Sequence, residues 1–361
     1  MMIGCLTYAG NTFKHELLRF SNISELIFET SVTKIPYCSC STVGPVEKIT
    51  IKGNPQLDRG AFGFYYTSLK SVIFESNDFN TLSQEAFYGC SSLEKITLPA
   101  GITRINTRVF AGCTSLTDVV FNGNITSIDD FAFKQCSSLK RINLGNYVES
   151  IGIGAFQECS SLYNMELPRY LKSLGNEAFK GCSSLESVTL PTDSGFTQIE
   201  YGTFAECTSL KEIVFPDNIK VISTSGPYGY YKQYSTMGGC TSLKRAVLPN
   251  GLTSIQPYLF YGCSSLTDVE IGPNVTSIGK GAFQDCSSLS TITLPGTVTS
   301  IGGDCFSGCT ELKTVYCNSI TPPAAPGIGI PKTTIIYVPC NSVESYKNHR
   351  CWCVYTILPM P

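Results

Sequence analysis

The chain of 361 residues is short of charge, and it holds two histidines and one tryptophan. Charged residues make up 15%, against roughly 25% in an average globular protein. The balance, 26 − 28 = −2, leaves no electrostatic case for nucleic acid or an anionic membrane as partner. No apolar run approaches the ~18 residues of a membrane-spanning helix, so no membrane insertion is expected. There is no glycine-rich phosphate loop, no H-E-x-x-H helix and no G-x-S-x-G elbow. A cysteine–histidine nucleophile would need Cys5 with His15, or Cys351 or Cys353 with His349. All three pairings lie in terminal segments that show no third group to orient the base. The expectation is a protein that is not an enzyme, with no cofactor and no metal. Disorder is excluded by 42% hydrophobic residues. Met1-Met2-Ile3-Gly4-Cys5 has no basic region before its apolar stretch, so no secretory signal is expected as written.

What the sequence has is a repeat. Cys90, Cys113, Cys136, Cys159, Cys182, Cys207, Cys240, Cys263, Cys286 and Cys309 follow one another at spacings of 23, 23, 23, 23, 25, 33, 23, 23 and 23. A period in the range of roughly 20–30 residues is the signature of a solenoid whose coils stack on their neighbours. Three residues before each cysteine stands phenylalanine, as in Phe87, Phe156 and Phe306, with Met237 the one substitute. Three residues after each stands leucine, from Leu93 to Leu312. An alternating apolar pair follows, as in Ile96 and Leu98 or Ile142 and Leu144. Period two predicts a strand with one buried face. Pro99, Gly145, Pro168, Pro191 or Pro295 then marks a turn, and a second apolar pair three apart, such as Ile102 and Ile105, completes the coil.

The ladder extends beyond the cysteines. Ile23-x-x-Leu26-x-Phe28, Val46-x-x-Ile49-x-Ile51 and Leu69-x-x-Val72-x-Phe74 repeat the strand pattern, and Ile336-x-Val338 reads as a closing strand. About fourteen strands in one continuous array follow, which predicts one domain. A single coil cannot offset the entropy of ordering its backbone, so each depends on burial against its neighbours.

The unit I-G-x-x-A-F-x-x-C-S-S-L-x-x-I-x-L-P, clean at Ile151-Gly152 through Leu167-Pro168 and at Ile278-Gly279 through Leu294-Pro295, resembles the BspA-like leucine-rich repeat. The resemblance covers roughly residues 20–320. It implies an α/β leucine-rich-repeat solenoid of about 13–14 coils. Short parallel strands would lie on the concave face, with short helical turns or irregular segments on the convex side. Residues 1–20 would be an N-terminal cap segment, 21–320 the solenoid and 321–361 a C-terminal cap. That cap would hold the last strand and a short helix capped by Asn341 or Ser342. Members of the family are mostly surface or secreted proteins associated with adhesion, and the family supplies no catalytic residues.

The cysteines admit a disulfide framework, a metal site, a nucleophile or simple packing. A residue repeated once per coil at fixed register stacks in a column, and free cysteine behaves as a small, often buried hydrophobe. Pairing within such a column would distort every second coil, so buried free thiols are expected. Cys38-Ser39-Cys40 and Cys351-Trp352-Cys353 look like two halves of a thiolate zinc site. Some thirteen coil steps of ~4.8 Å would separate them in one chain, which opposes that reading.

Binding has better support than catalysis. The outward strand positions, five and seven after each cysteine, vary while the inward ones hardly do. They read Arg141/Asn143, Asn164/Glu166, Glu212/Val214, Arg245/Val247 and Asp268/Glu270 in the middle of the array. A second feature is an insertion of ten residues between Ile222 and Met237 that carries Tyr228, Tyr230, Tyr231 and Tyr234. Tyr, Ser and Gly make adaptable contact loops. The expected partner-binding residues are therefore Tyr228, Tyr230, Tyr231, Tyr234, Arg141, Glu166, Arg245, Asp268 and Glu270. The expected function is an adhesin-like, surface or secreted module that binds a protein or glycan. Two alternatives stand beside it: a structural subunit of a larger complex such as a virion or fibre, and a cytoplasmic interaction scaffold.

Overall fold

The computed structural model describes residues 4–14, 22–37, 45–64, 66–192, 195–224 and 235–361. The chain divides into two compact units, Met1–Cys182 and Ser183–Pro361. Both are stacks of parallel-strand coils.

In the first unit, Gly4–Tyr8, Ile23–Phe28, Lys48–Ile51, Ser71–Phe74, Lys95–Leu98 and Asp118–Phe121 form one parallel sheet in chain order. Alternation does what period two predicts: in Lys95–Leu98, Ile96 and Leu98 are buried while Lys95 and Thr97 are exposed. A second row runs along another side of the coils, pairing Arg104–Ile105, Ser127–Ile128, Ser150–Ile151 and Ser173–Leu174. Between the rows, the Phe110 N–H donates to the Ala132 carbonyl and the Phe133 N–H to the Ala155 carbonyl, both at 2.8 Å. The backbone is thus tied from coil to coil on more than one side, which answers the need of a buried polar chain for partners.

The core of this unit is a column. Phe62, Phe87, Phe110, Phe133, Phe156 and Phe179 stack face to face with centroids 5.3–5.7 Å apart. Offset stacking of this kind adds about 0.5–1.5 kcal/mol per pair beyond burial. Phe156 and Cys159 are both fully buried.

One expected strand is not formed. Arg141-Ile142-Asn143-Leu144 carries the alternating pattern, yet it pairs with neither adjacent coil as a strand. The Asn143 side chain accepts the Gly145 N–H at 3.0 Å, and Gly145 turns at φ +66. A side-chain bond two residues on offers the backbone an alternative to the ladder. Leu144 still points into the core.

In the second unit, Glu212–Val214, Arg245–Val247 and Asp268–Glu270 form one parallel sheet. Thr291–Leu294, Thr314–Cys317, Ile335–Val338 and Thr356–Pro359 form another. Ser254–Ile255, Ser277–Ile278 and Ser300–Ile301 make the second row. Glu212 lies directly opposite Arg245 although 33 residues separate them. The coil register therefore passes the insertion unbroken. Phe260, Phe283 and Phe306 form a stacked column of this unit's own, with centroids 5.5 Å apart.

The helical part of the expected α/β class reduces, among the described residues, to the helix Val343–Lys347 and a short 3-10 turn at Cys340–Ser342. Ser342 stands at the helix N-cap but its side chain makes no capping bond. Ile335–Val338 is followed, after the helix, by the further strand Thr356–Pro359. The lone Trp352 is fully buried, and its Nε1 donates to the Pro323 carbonyl at 2.8 Å. Tyr346 packs against it edge to face and donates its hydroxyl to the Ser319 carbonyl at 2.8 Å. These two rings seal the core beneath the last strands.

The coils turn through left-handed backbone at two fixed positions, five residues and one residue before the cysteine. Arg108 with Gly112, Phe131 with Gln135, Tyr258 with Gly262 and Asp304 with Gly308 are four such pairs. Glycine takes this conformation without cost, whereas other residues hold it only when the surroundings impose it.

Candidate binding face

The ladder cysteines decide whether the core holds chemistry. Every ladder cysteine is free and buried. Their role exceeds packing. Cys113, Cys136, Cys159 and Cys182 donate their thiols to the carbonyls of Phe87, Phe110, Phe133 and Phe156 at 3.1–3.2 Å. Cys263, Cys286 and Cys309 do the same to Met237, Phe260 and Phe283. Each acceptor lies in the coil before. Each also receives the N–H of its own coil's cysteine, as Phe133 does from Cys136. Burial in this apolar column pushes the thiols of Cys159, Cys240 and Cys309 up to about 12, and raises that of Cys90 well above its ordinary value. A thiol held neutral at ordinary pH is a poor nucleophile and a poor metal ligand.

Among the described residues, neither the Cys351 nor the Cys353 thiol is hydrogen-bonded to the His349 ring. His349 Nδ1 accepts the backbone N–H of Cys351 at 3.3 Å, and Cys353 points its thiol towards the Arg350 carbonyl. His15, Cys38 and Cys40 lie outside the described residues. Among the described residues, no group of three or more His, Cys, Asp or Glu is arranged to hold a metal ion. No described helix is long and apolar enough to cross a membrane.

The outward strand face is the remaining candidate. In the second unit, Glu212, Arg245 and Asp268 stand side by side, and Val214, Val247 and Glu270 form the next row. Arg245 divides its donors among three carboxylates. Its Nε bonds Asp268 Oδ2 at 3.1 Å, its Nη1 bonds Glu212 and its Nη2 bonds Glu270. The bonds to Glu212 and Glu270 raise the guanidinium further above its ordinary range. One arginine against three carboxylates leaves the cluster at −2. Beside it, a cleft of about 330 Å³ is lined by Val214, Asp217, Val247, Asn250 and Glu270. Val214 is 48% exposed, so this acidic face has an apolar floor. The sequence placed Arg245, Asp268 and Glu270 here and passed over Glu212, because the spacing of 33 hid its adjacency to Arg245.

In the first unit, Arg141 and Glu166 are exposed at outward positions of successive coils. They make no ion pair with each other. The Arg141 guanidinium lies 5.6 Å from the Tyr163 ring centroid. Tyr228, Tyr230, Tyr231 and Tyr234 lie outside the described residues.

No curated protein matches the sequence. Among solved structures, a leucine-rich repeat protein from Bacteroides ovatus is 24% identical, with 91% of this chain and 88% of that one covered and a TM-score of 0.47. The leucine-rich repeat protein of T. pallidum is 25% identical over 60% of this chain and 77% of its own, at a TM-score of 0.41. A leucine rich cell surface protein from Faecalibacterium prausnitzii is 20% identical over 95% and 80%, also at 0.41. The model of the BspA type leucine rich repeat region matches six copies over residues 11–140, 126–226 and 233–322, well over half of the chain. The repeat that builds the thiol column and the outward face is therefore that family's repeat, and the chain belongs to the BspA-type leucine-rich repeat family.

Proposed function

We propose that this protein is a non-enzymatic binding module, adhesin-like and acting at a cell surface or after secretion, which engages a protein or glycan through its outward strand face. The observation that carries the reading is a contrast along the strands. Inward positions such as Ile213 and Ala246 are fully buried and fixed by packing. Outward positions on the same strands carry an exposed acidic cluster that the fold does not require. Exposed ion pairs contribute little to stability, about 0–1 kcal/mol, so stability alone gives no reason to collect four charges here. The ladder thiols are compatible with oxidising surroundings, because each is buried and bonded to a carbonyl.

The test is a capture experiment with the full chain against candidate surface proteins and glycans. Arg245→Ala and a Glu212→Ser, Asp268→Ser, Glu270→Ser triple variant are run beside it. The expected result is a partner whose affinity falls at least tenfold in the variants while the melting temperature stays within about 2 °C. A partner that is captured equally by all of them removes this face from the account.

A further inference from the structure

The outward strand face of the second unit sets two chemistries side by side. Asp268–Glu270 lies against Thr291–Leu294 of the next coil. From there Thr291–Leu294, Thr314–Cys317, Ile335–Val338 and Thr356–Pro359 run in parallel register without one charged residue. Thr293, Tyr316, Tyr337 and Leu358 form one outward row across these strands. The rings of Tyr316 and Tyr337 stack with centroids 5.2 Å apart, and Leu358 beside them is 37% exposed. Ile335, two residues before Tyr337, adds a half-buried aliphatic side chain to the same face.

The Arg245 cluster forms the other end of this face. Glu212, Asp268 and Glu270 each give one oxygen to Arg245. Their second oxygens make no hydrogen bond or ion pair among the described residues. Asp217 lines the adjoining cleft and Lys244 precedes Arg245 in the chain. With both included, two cations face four carboxylates, and the sum 2 − 4 = −2 is unchanged. Lys211, one residue before Glu212, is paired with Glu186 at 2.6 Å. The excess negative charge is therefore not balanced by these neighbours.

Resting on the binding role proposed above, we infer that this face takes a protein partner through an extended segment, in which a basic residue stands four positions from an aromatic or large aliphatic one. The partner's arginine or lysine meets the uncommitted oxygens of Asp268 and Glu270, with its aliphatic stem along Val247. The partner's apolar side chain covers Tyr316 and Tyr337. Charge complementarity selects the occupant: an excess of carboxylate calls for a cation, and the uncharged row beside it calls for an apolar group. Tyrosine suits such a contact, because it offers a large amphipathic surface at low cost in entropy. Register sets the spacing. From the strand of Glu270 to that of Tyr337 is three strand steps, about 14 Å. Four residues of extended chain cover the same distance, and residues four apart project to the same side.

The experiment uses the full chain and three fluorescein-labelled peptides: Gly-Arg-Ser-Thr-Ser-Trp-Gly, the same peptide with Glu for Arg, and the same with Ser for Trp. Fluorescence anisotropy reads affinity. The first peptide should bind tenfold or more tighter than the Glu peptide and at least fivefold tighter than the Ser peptide, and high salt should narrow the first difference only. Asp268→Asn together with Glu270→Gln should remove the preference for Arg and keep the preference for Trp. Tyr337→Ser should do the reverse, with an unchanged circular dichroism spectrum; if that variant does not fold, Leu358→Ser supplies the same reading. Failure of the first peptide to bind, equal binding of all three, or Tyr337-dependent binding of maltohexaose in their place overturns the assignment. A chain that ignores the peptides yet captures a surface protein or glycan in an Arg245-dependent way loses this inference and keeps the binding role.

Discussion

The thiol of Cys159 donates to the carbonyl oxygen of Phe133, in the coil before, at 3.1 Å. The same oxygen accepts the N–H of Cys136. A residue that packs like a small hydrophobe thus supplies a second bond to a carbonyl that the coil turn leaves half satisfied. Replacing Cys159 tests this. Cys159→Ala loses the weak donor and leaves a small void, at a cost of about 1–2 kcal/mol. Cys159→Ser keeps a donor aimed at the same oxygen, so it should cost no more than alanine. If the column were packing alone, serine would be clearly worse. Urea unfolding midpoints of the two variants decide between these.

Alkaline pH should unfold the protein in a way that counts its thiols. Burial raises the folded value of Cys159, Cys240 and Cys309 to about 12, against an ordinary value of 9.0. The neutral thiol is the form that the fold favours. Its contribution is complete below the unfolded value and is lost as pH rises from there through the folded value. Between about pH 9 and pH 12 each such thiol should remove about 1.4 kcal/mol per pH unit. Stability measured at pH 8, 10 and 11 should fall steeply, and Cys159→Ala should lessen the slope by one thiol's share. An unaltered slope in that variant would contradict the buried assignment.

The left-handed turn positions predict unequal costs for two substitutions. Gly112 holds φ +76 with its missing Cβ 3.4 Å from the Gly89 Cα. Gly112→Val should cost about 2–4 kcal/mol, because a β-branched residue is strained there and crowds the neighbouring turn. Glu206 occupies the equivalent position at φ +61. Glu206→Gly should change stability by less than about 1 kcal/mol, since relief of strain offsets the entropy of glycine. Thermal melts of both variants provide the check.

Register makes whole coils removable. Ser127 and Ser150 are paired neighbours at one coil position. Deleting residues 127–149 joins equivalent positions and should give a soluble, cooperatively melting protein. Deleting residues 127–138 alone removes Phe133 and Cys136 and leaves one coil too short to complete its turn, which should expose the columns of the coils on either side and give an insoluble chain. Equal behaviour of the two deletions, read by solubility and circular dichroism, would contradict the repeat register.

Much of this fold was legible because a solenoid repeats its constraints. Phe156, Cys159 and Leu162 recur at one spacing since each must fill the same slot in its coil, and all three are buried. The slots that break the rhythm were harder to read. Phe62 stacks on Phe87, yet its coil carries no ladder cysteine. The Ala61-Phe62 pair was the signal available. Thr356–Pro359 buries only Ile357, too little pattern to announce a strand. At Ile142, apolar alternation promised a strand, and the Asn143 side chain won the backbone instead. The thiol–carbonyl bonds depend on where backbone carbonyls point, which no residue spacing encodes. The outward face was legible as a list of positions, and the contacts of Arg245 with Glu212 needed the coil register across the insertion.

The account rests on a dry column of thiols running through each unit, and alkylation followed by intact-mass measurement tests it most directly. Treated native at pH 8, the described chain should take up label at the exposed Cys5, Cys340 and Cys353, with Cys351 slower. Cys90, Cys113, Cys136, Cys159, Cys182, Cys207, Cys240, Cys263, Cys286 and Cys309 should react only once the protein is unfolded in urea. Rapid native labelling of Cys159 or Cys286, or masses showing disulfides within the ladder, would contradict it.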